Sequence, residues 1–527
     1  MAVSPLSQPA SGRSTWNASR LSQSYISNFP PVENSMFQRP LSLTLVLILA
    51  LTPVAPSTAQ SIRLPDIGDP SQAEFGSDEE REMGLDTMRQ LREHGAVMDD
   101  VQLNEYLNSI GQSIATYADQ NGTPFTFFMV RDSSINAFAL PHNFIGVNAG
   151  LLLFTRREDE LAGVIAHEIA HVSQHHIIRA IADMKRMTLP LAAAMVAGAA
   201  LAAASKQAGQ AAMVGTMAAS AQHQISFTRA NEQEADRIGM QLLAKAGFDP
   251  KGMSDFFARL ERMMGGEARN QVPEMLLTHP RPENRAADIQ DRVEIPPVRR
   301  SAPRDRKAYD LAKARARVLA TDDNNSLIRD LETTLAKGGY ASETAERYAY
   351  ALALRQAGRY DDAQQQINRL LRSDSDRLAF RIEAAELALA RGDRAQGWRL
   401  FEETRQLYPD DFTLAMYYGR ALATQGDPKL AMRLLQPHLR RRSNDPALYA
   451  SYAQAAQRSG DLAATHATMA EYHYLNGELL PAIEQLEQGL RNPDLSPNQE
   501  AQLRARLKQI RAEAIARGLP VPKRDAP

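Results

Sequence analysis

His167-Glu168-Ile169-Ala170-His171 is the stretch of this chain that decides how the rest is read. On a helix the two histidines stand at i and i+4, so both imidazoles leave one face and can hold a single divalent cation. Glu168 lies beside them, placed to take a proton from a water at that site. The flanks, Glu160-Leu161-Ala162-Gly163-Val164-Ile165-Ala166 before and Val172 after, are apolar. A helix of this kind buries its body, so the pair does not sit on a wet surface, where two unrelated histidines would be the bland reading. The pattern predicts one helix from about Arg157 into the 180s.

A catalytic zinc takes three protein ligands and leaves one position open. Downstream, Asn231-Glu232-Gln233-Glu234-Ala235-Asp236 offers Glu232 and Glu234 as candidates for the third. They are two apart, so on a helix only one of them points at the metal. Asp236 is four residues from Glu232 and shares its face, where a carboxylate can hold a ligand histidine through its second ring nitrogen. Glu232 is therefore the expected ligand, Asp236 its support and Glu234 a solvated surface acid. The expected cofactor is one Zn2+ per chain on His167, His171 and Glu232. Glu168 is the expected general base, later passing its proton to the leaving amine. His175, His176 and His223 read as surface histidines.

Upstream of the motif, helices are expected from Ser77, with Asp78, Glu79 and Glu80 in the first turn, and from Asp100 to Tyr117. Phe125-Thr126-Phe127-Phe128-Met129-Val130 reads as a strand, and Asn143 to Asn148 as a second, after Pro141. Further back, Met36-Phe37-Gln38-Arg39-Pro40 precedes the apolar run Leu41 to Leu51, and small residues follow at Ser57, Thr58 and Ala59. This is the order of a secretory signal peptide, with cleavage after Ala59 and translation starting at Met36; residues 1–35 are then a mis-annotated extension. An uncleaved anchor is the rival, although the run is short for a membrane span.

Downstream, Leu191 to Ala204 is nearly all Ala, Leu, Met and Val. Residues 189–220 are read as a buried helix or, given their place between the metal-binding elements, as a lid or membrane-touching flap. Glu294-Ile295-Pro296-Pro297-Val298-Arg299-Arg300-Ser301-Ala302-Pro303 breaks structure and closes a first domain, residues 60–300. Residues 301–340 follow as a helical linker. Then Gly358, Gly392, Gly426 and Gly460 fall 34 residues apart. Small residues recur in phase at Ala351, Ala385, Gly419 and Ala453, and large apolar ones at Ile367, Phe401, Leu435 and Met469, with Pro409 at a handover between repeats. That period and those classes mark a tetratricopeptide array over residues 341–515. Gly477 comes only 17 residues after Gly460, so the array ends irregularly.

The predicted fold class is mainly α: a zincin-type α+β metallopeptidase domain with a small sheet, followed by an α-helical repeat solenoid. The 527 residues carry a net charge of −2 with no basic stripe, which argues against nucleic acid as a partner. There is no cysteine, so neither disulfides nor a lipid-bearing cysteine contribute.

The metal helix, Glu232-x-x-x-Asp236 and Ile135-Asn136-Ala137-Phe138-Ala139-Leu140-Pro141 together resemble gluzincin peptidases of the HtpX and CAAX-prenyl-protease type. With the signal peptide and repeats added, the likeness covers about residues 70–515. It implies a periplasmic zinc endopeptidase that removes or assists unfolded or stalled outer-membrane polypeptides, with the repeats contacting the barrel assembly machinery. Peripheral contact with the membrane is compatible with that setting. The resemblance also implies that Phe144-Ile145-Gly146-Val147 is an edge strand binding substrate backbone by strand addition. His142 and Asn143 stand where relatives carry a Gly-rich pair, which puts the local strand geometry in question. Leu277-Thr278-His279-Pro280-Arg281-Pro282-Glu283-Asn284-Arg285 matches an element near the domain's end. His279 is then an oxyanion stabiliser or a fourth, inhibitory zinc ligand; a turn histidine before proline is the plain alternative. The rival function is a chaperone-like scaffold in which the repeats do the main work and the protease is latent.

Overall fold

The computed structural model describes residues 77–118, 124–184, 228–264, 274–279 and 305–521. The expected signal peptide, the 189–220 segment, His223 and the expected break at Pro296-Pro297 lie outside them. Helix α1 (Ser77–Glu93) is followed by α2 (Val101–Ala115), whose N-cap Asp100 accepts a hydrogen bond from the Leu103 amide. Three strands follow, β1 (Thr126–Val130), β2 (Ala137–Leu140) and β3 (Phe144–Asn148), lying in the order β1-β3-β2. Strand β3 runs parallel to β1 and antiparallel to β2.

The strand expected at the edge is therefore the central one. Phe144, Ile145, Gly146 and Val147 are all buried, and neighbours take the backbone on both sides, so this strand cannot add a substrate chain. The apolar run without alternation marks only that both faces of the strand are covered; which strands flank it is set by pairing.

The two true edges differ. Beyond β1, one bridge joins Val97 to Val130, and α2 supplies side-chain amides from Asn104, Asn108 and Gln112, spaced four apart on one face. The Met129 amide donates to Asn104 Oδ1 at 3.0 Å, and Asn108 Nδ2 donates to the Phe127 carbonyl at 3.0 Å. Gln112 Nε2 donates to the Phe125 carbonyl at 2.6 Å. Helix side chains thus stand in for a fourth strand. Beyond β2 there is no further strand among the described residues, and β2 packs beside the metal-motif helix.

The β2–β3 turn holds two consecutive left-handed residues, His142 at φ 64° and Asn143 at φ 61°. That is the conformation a Gly-rich pair adopts freely, and it costs an ordinary side chain about 1–2 kcal/mol. The register of the hairpin, Leu140 against Phe144, is kept nonetheless. The His142 ring lies 5.8 Å from that of Phe144.

Helix α3 (Ala149–Phe154) leads into α4 (Glu158–Ser173), which carries the motif. Glu158, Asp159 and Glu160 occupy its first turn, where the helix dipole favours acids, and every residue from Glu160 to Val172 is buried. The helix does not run on into the 180s. It stops at Ser173, His175 takes a left-handed φ of 55°, and a new helix, α5, covers 176–184. Helix α6 (228–245), α7 (Lys251–Met264) and the short α8 (Glu274–Thr278) complete this part.

From Arg306 the chain is helical hairpins. Helix α9 (Arg306–Ala320) faces two ways: Tyr309, Ala312 and Ala316 enter the core around the sheet, while Leu311, Ala314 and Val318 enter that of the first repeats. Eleven further helices, α10 to α20, run from Asn324 to Ala516. Asp393, Asp427 and Asp461 each cap a helix at the same phase of the 34-residue period, as Asp411 and Asp445 do at another. The small positions Ala351, Ala385 and Ala453 and the large ones Ile367, Phe401 and Leu435 are buried as the period requires. Met469 is only half-buried, since the helices after Gly477 leave the 34-residue spacing.

Gly358, Gly392 and Gly460 take left-handed φ at the hairpin turns; Gly426 ends its helix at φ −117° instead. A Cβ on Gly392 would meet nothing within 4 Å, so the demand there is on the backbone alone. Gly392→Ala is expected to lower stability by about 1–2 kcal/mol in urea unfolding; an unchanged midpoint would show that the turn relaxes out of the left-handed region.

The array is bolted to the sheet-bearing part. Arg442 forms a bidentate pair with Glu105 at 2.5 and 2.6 Å and lies 3.8 Å over the Phe412 ring. Deeper, Arg315 of α9 binds Asp100 through Nε and Nη2, both at 2.8 Å, and donates to the hydroxyls of Tyr348 and Tyr417.

Candidate metal centre

Three elements bring the site together. Helix α4 presents His167, Glu168 and His171. Helix α6 lies across it, close enough that a Cβ on Gly239 would sit 3.1 Å from the His167 backbone nitrogen. That approach places Glu232 and Asp236, one turn apart on α6, against the histidines. Helix α8 is tied to the lead-in of β2 by a bond from the Met275 amide to the Ile135 carbonyl, and it ends on His279, whose amide bonds back to the Met275 carbonyl.

His167, His171, Glu232 and His279 are all buried, and one ligand atom from each lies within 4.8 Å of the others. The His171 and His167 Nε2 atoms face each other at 3.0 Å. Glu232 Oε1 stands 3.4 Å from His171 Nε2 and Oε2 stands 3.4 Å from His167 Nε2. His279 Nδ1 is 2.9 Å from Glu232 Oε1 and 3.4 Å from His167 Nε2, and its Nε2 is 3.5 Å from Glu168 Oε1. Asp236 Oδ1 lies 3.0 Å from His167 Nδ1.

The electrostatics suit a cation. Burial pushes the His171 imidazole down to about 3, so it is neutral with a lone pair to offer. Burial alone would raise the Glu232 carboxyl, but His279 and the hydrogen bonds from the histidines override it and hold it well below the usual carboxylate range. Three imidazoles and one carboxylate, converging in a closed space, are a donor set that zinc takes. Glu168 is 1% exposed and its Oε1 makes no hydrogen bond, as suits a base that must meet a water.

The structure thus gathers His167, Glu168, His171, Glu232, Asp236 and His279. It does not gather Phe144 to Val147 into an open edge. Two other expectations are corrected. His176 is no surface histidine: it is 3% exposed, with Nδ1 3.0 Å from His171 Nδ1 and Nε2 3.2 Å from Glu234 Oε2. Glu234 is correspondingly not a free solvated acid; it also accepts from Arg179 Nη1 at 3.3 Å. His176 lies five residues past His171, a spacing that a continuous helix would have turned away, so the sequence offered no periodic signal for it.

Residues 101–293 match the family described as peptidase family M48. The chain is 33% identical over 474 residues to the beta-barrel assembly-enhancing protease of Escherichia coli strain K12, covering 89% of this chain and 96% of that protein. It is 34% identical over 452 residues to the protein of the same name from Yersinia pestis, covering 85% and 91%. A more distant likeness, 31% over 205 residues, is to the mitochondrial metalloendopeptidase OMA1 of Arabidopsis thaliana, covering 38% of this chain and 39% of that one.

Proposed function

This chain belongs to the beta-barrel assembly-enhancing proteases of peptidase family M48, and from that premise we propose that it is a periplasmic endopeptidase for unfolded or stalled outer-membrane polypeptides. The observation that carries the reading is the buried cluster of His167, His171, Glu232 and His279 with the unbonded Glu168 oxygen beside it. Bound there, zinc supplies Lewis acidity and makes a water acidic enough to be deprotonated at neutral pH.

The chain's own residues do the rest. Glu168 takes the proton from the attacking water and returns it to the leaving amine. Asp236 holds His167 by Nδ1 and keeps its Nε2 turned inward. Strand β2, the sheet edge beside α4, is the place for an extended substrate, a role the central strand cannot fill. The repeats, residues 341–515, select the client or contact the barrel assembly machinery, in keeping with relatives named for enhancing beta-barrel assembly.

For His279 the distances support the inhibitory reading. Its Nδ1 lies among the ligand atoms, and its Nε2 is near Glu168, so the ring fills the space that water and substrate need. The test is cleavage of a urea-denatured outer-membrane porin, diluted into buffer, by the zinc-loaded chain. His279→Ala is expected to cut at least several-fold faster than wild type, and a chelator to stop both. A slower His279→Ala would mark His279 as an oxyanion stabiliser. If neither cuts while both bind the porin, the scaffold reading replaces the peptidase one.

A further inference from the structure

We propose that His176 is a positioning residue of the metal centre: with Glu234 it fixes the tautomer and ring plane of His171. The inference rests on the zinc-peptidase reading. His171 turns Nε2 to the cluster, 3.0 Å from His167 Nε2 and 3.4 Å from Glu232 Oε1. A ring nitrogen that binds a metal carries no proton, so neutral His171 holds its proton on Nδ1. The atom facing that proton is His176 Nδ1, at 3.0 Å, which must therefore accept. His176 then carries its own proton on Nε2 and donates it to Glu234 Oε2 at 3.2 Å. Arg179 Nη1, 3.3 Å from the same oxygen, keeps that carboxylate charged and in place. Once His171 Nε2 is committed to the metal, each proton position down the chain follows.

The backbone is bent to make this contact. On a continuous helix His176 would stand about 140° round from His171, at ~100° per residue, and the rings could not meet. The chain instead leaves the helix at Ser173, passes through the left-handed His175 and restarts at 176. A left-handed non-glycine persists where its surroundings enforce it. Helix α6 then serves three partners with alternate residues: Glu232 joins the ligands, Asp236 holds His167, and Glu234 holds His176. Each helical histidine thus has its second nitrogen fixed, His167 by a carboxylate directly and His171 by a carboxylate through a second imidazole.

The experiment is zinc affinity of the purified full chain, by competition with a chromogenic chelator, for wild type, His176→Phe, His176→Gln and Glu234→Ala. Partners of this kind change metal affinity by roughly 10–100-fold, and His176→Phe, which fills the space without accepting, is expected to lose that much. His176→Gln can accept from His171 and donate to Glu234, and is expected to stay within a few-fold of wild type. Glu234 is partly exposed, so Glu234→Ala should fold even if His176→Phe does not; a loss of several-fold is expected. In the zinc-loaded protein, the His171 Nδ1 proton should give a downfield NMR resonance that His176→Phe abolishes. Wild-type affinity in His176→Phe, equal losses in His176→Phe and His176→Gln, or an unchanged Glu234→Ala would each overturn the proposal. A wild-type chain that takes up no zinc would instead sink the peptidase reading beneath it.

Discussion

Zinc-loaded Glu168→Gln is expected to cleave an unfolded polypeptide roughly 10²–10⁴-fold more slowly than wild type. Its metal content should be unchanged. Glutamine keeps the size and one acceptor oxygen of the buried side chain but cannot take up a proton. Glu168 is not among the atoms that converge on the cation site, so the loss belongs to proton transfer and not to metal binding. The carboxylate is well placed for that work: it is 1% exposed, with Oε1 unbonded and the His279 ring 3.5 Å away. Single-turnover cleavage beside metal analysis separates the cases. Activity within tenfold of wild type would move the base elsewhere, and loss of zinc would make Glu168 part of the coordination.

Asp100→Ala is expected to cost about 3–5 kcal/mol, because it leaves the buried Arg315 guanidinium without its counter-charge. The same substitution removes the N-cap of α2, worth about 1 kcal/mol. Arg315 is buried between the two cores, and its partners come from α2, α11 (Glu343–Gln356) and α15 (Phe412–Gln425), so urea unfolding should lose cooperativity across the whole unit. Asp100→Leu with Arg315→Met, which removes both charges, should recover most of the stability; if the double variant is as weak as the single one, packing and not charge holds this joint. Acid gives a second reading. Burial raises the Asp100 carboxyl, but Arg315 and the Leu103 amide more than offset it and hold it below the usual carboxylate range. Its stabilisation is therefore in place above an unfolded value of about 4 and fades as pH falls from there through the lower folded value. Wild type should lose stability over that window, and Asp100→Ala should lose less.

What could be read from the chain was what local geometry fixes. His167 and His171, and Glu232 and Asp236, are each four apart on a helix, so their shared faces follow from spacing alone. The 34-residue period likewise announces its helical hairpins. What escaped depends on partners distant in sequence or on a break in regularity. The order of three strands is set by how they pair, and the edge position that the resemblance implies for Phe144 to Val147 gives way to the centre of the sheet. His176 reads as a surface histidine because a left-handed His175 is invisible to periodicity. The Arg315 and Arg442 joints tie residues more than 200 positions from their partners Asp100 and Glu105, and no composition rule pairs them.

The row of amides from Asn104, Asn108 and Gln112 closes one margin of the sheet to a further strand. Unfolded polypeptides are prone to stack strand upon strand, and any bare sheet margin invites them to nucleate there. Side chains cannot be extended by a further strand as a strand can, so β1 offers no template for growth. Among the described residues, the margin left without a strand partner is that of β2, which packs beside α4, the helix that carries Glu168. On the proposed function, that leaves β2 as the place to hold an unfolded client and denies the client a template at β1.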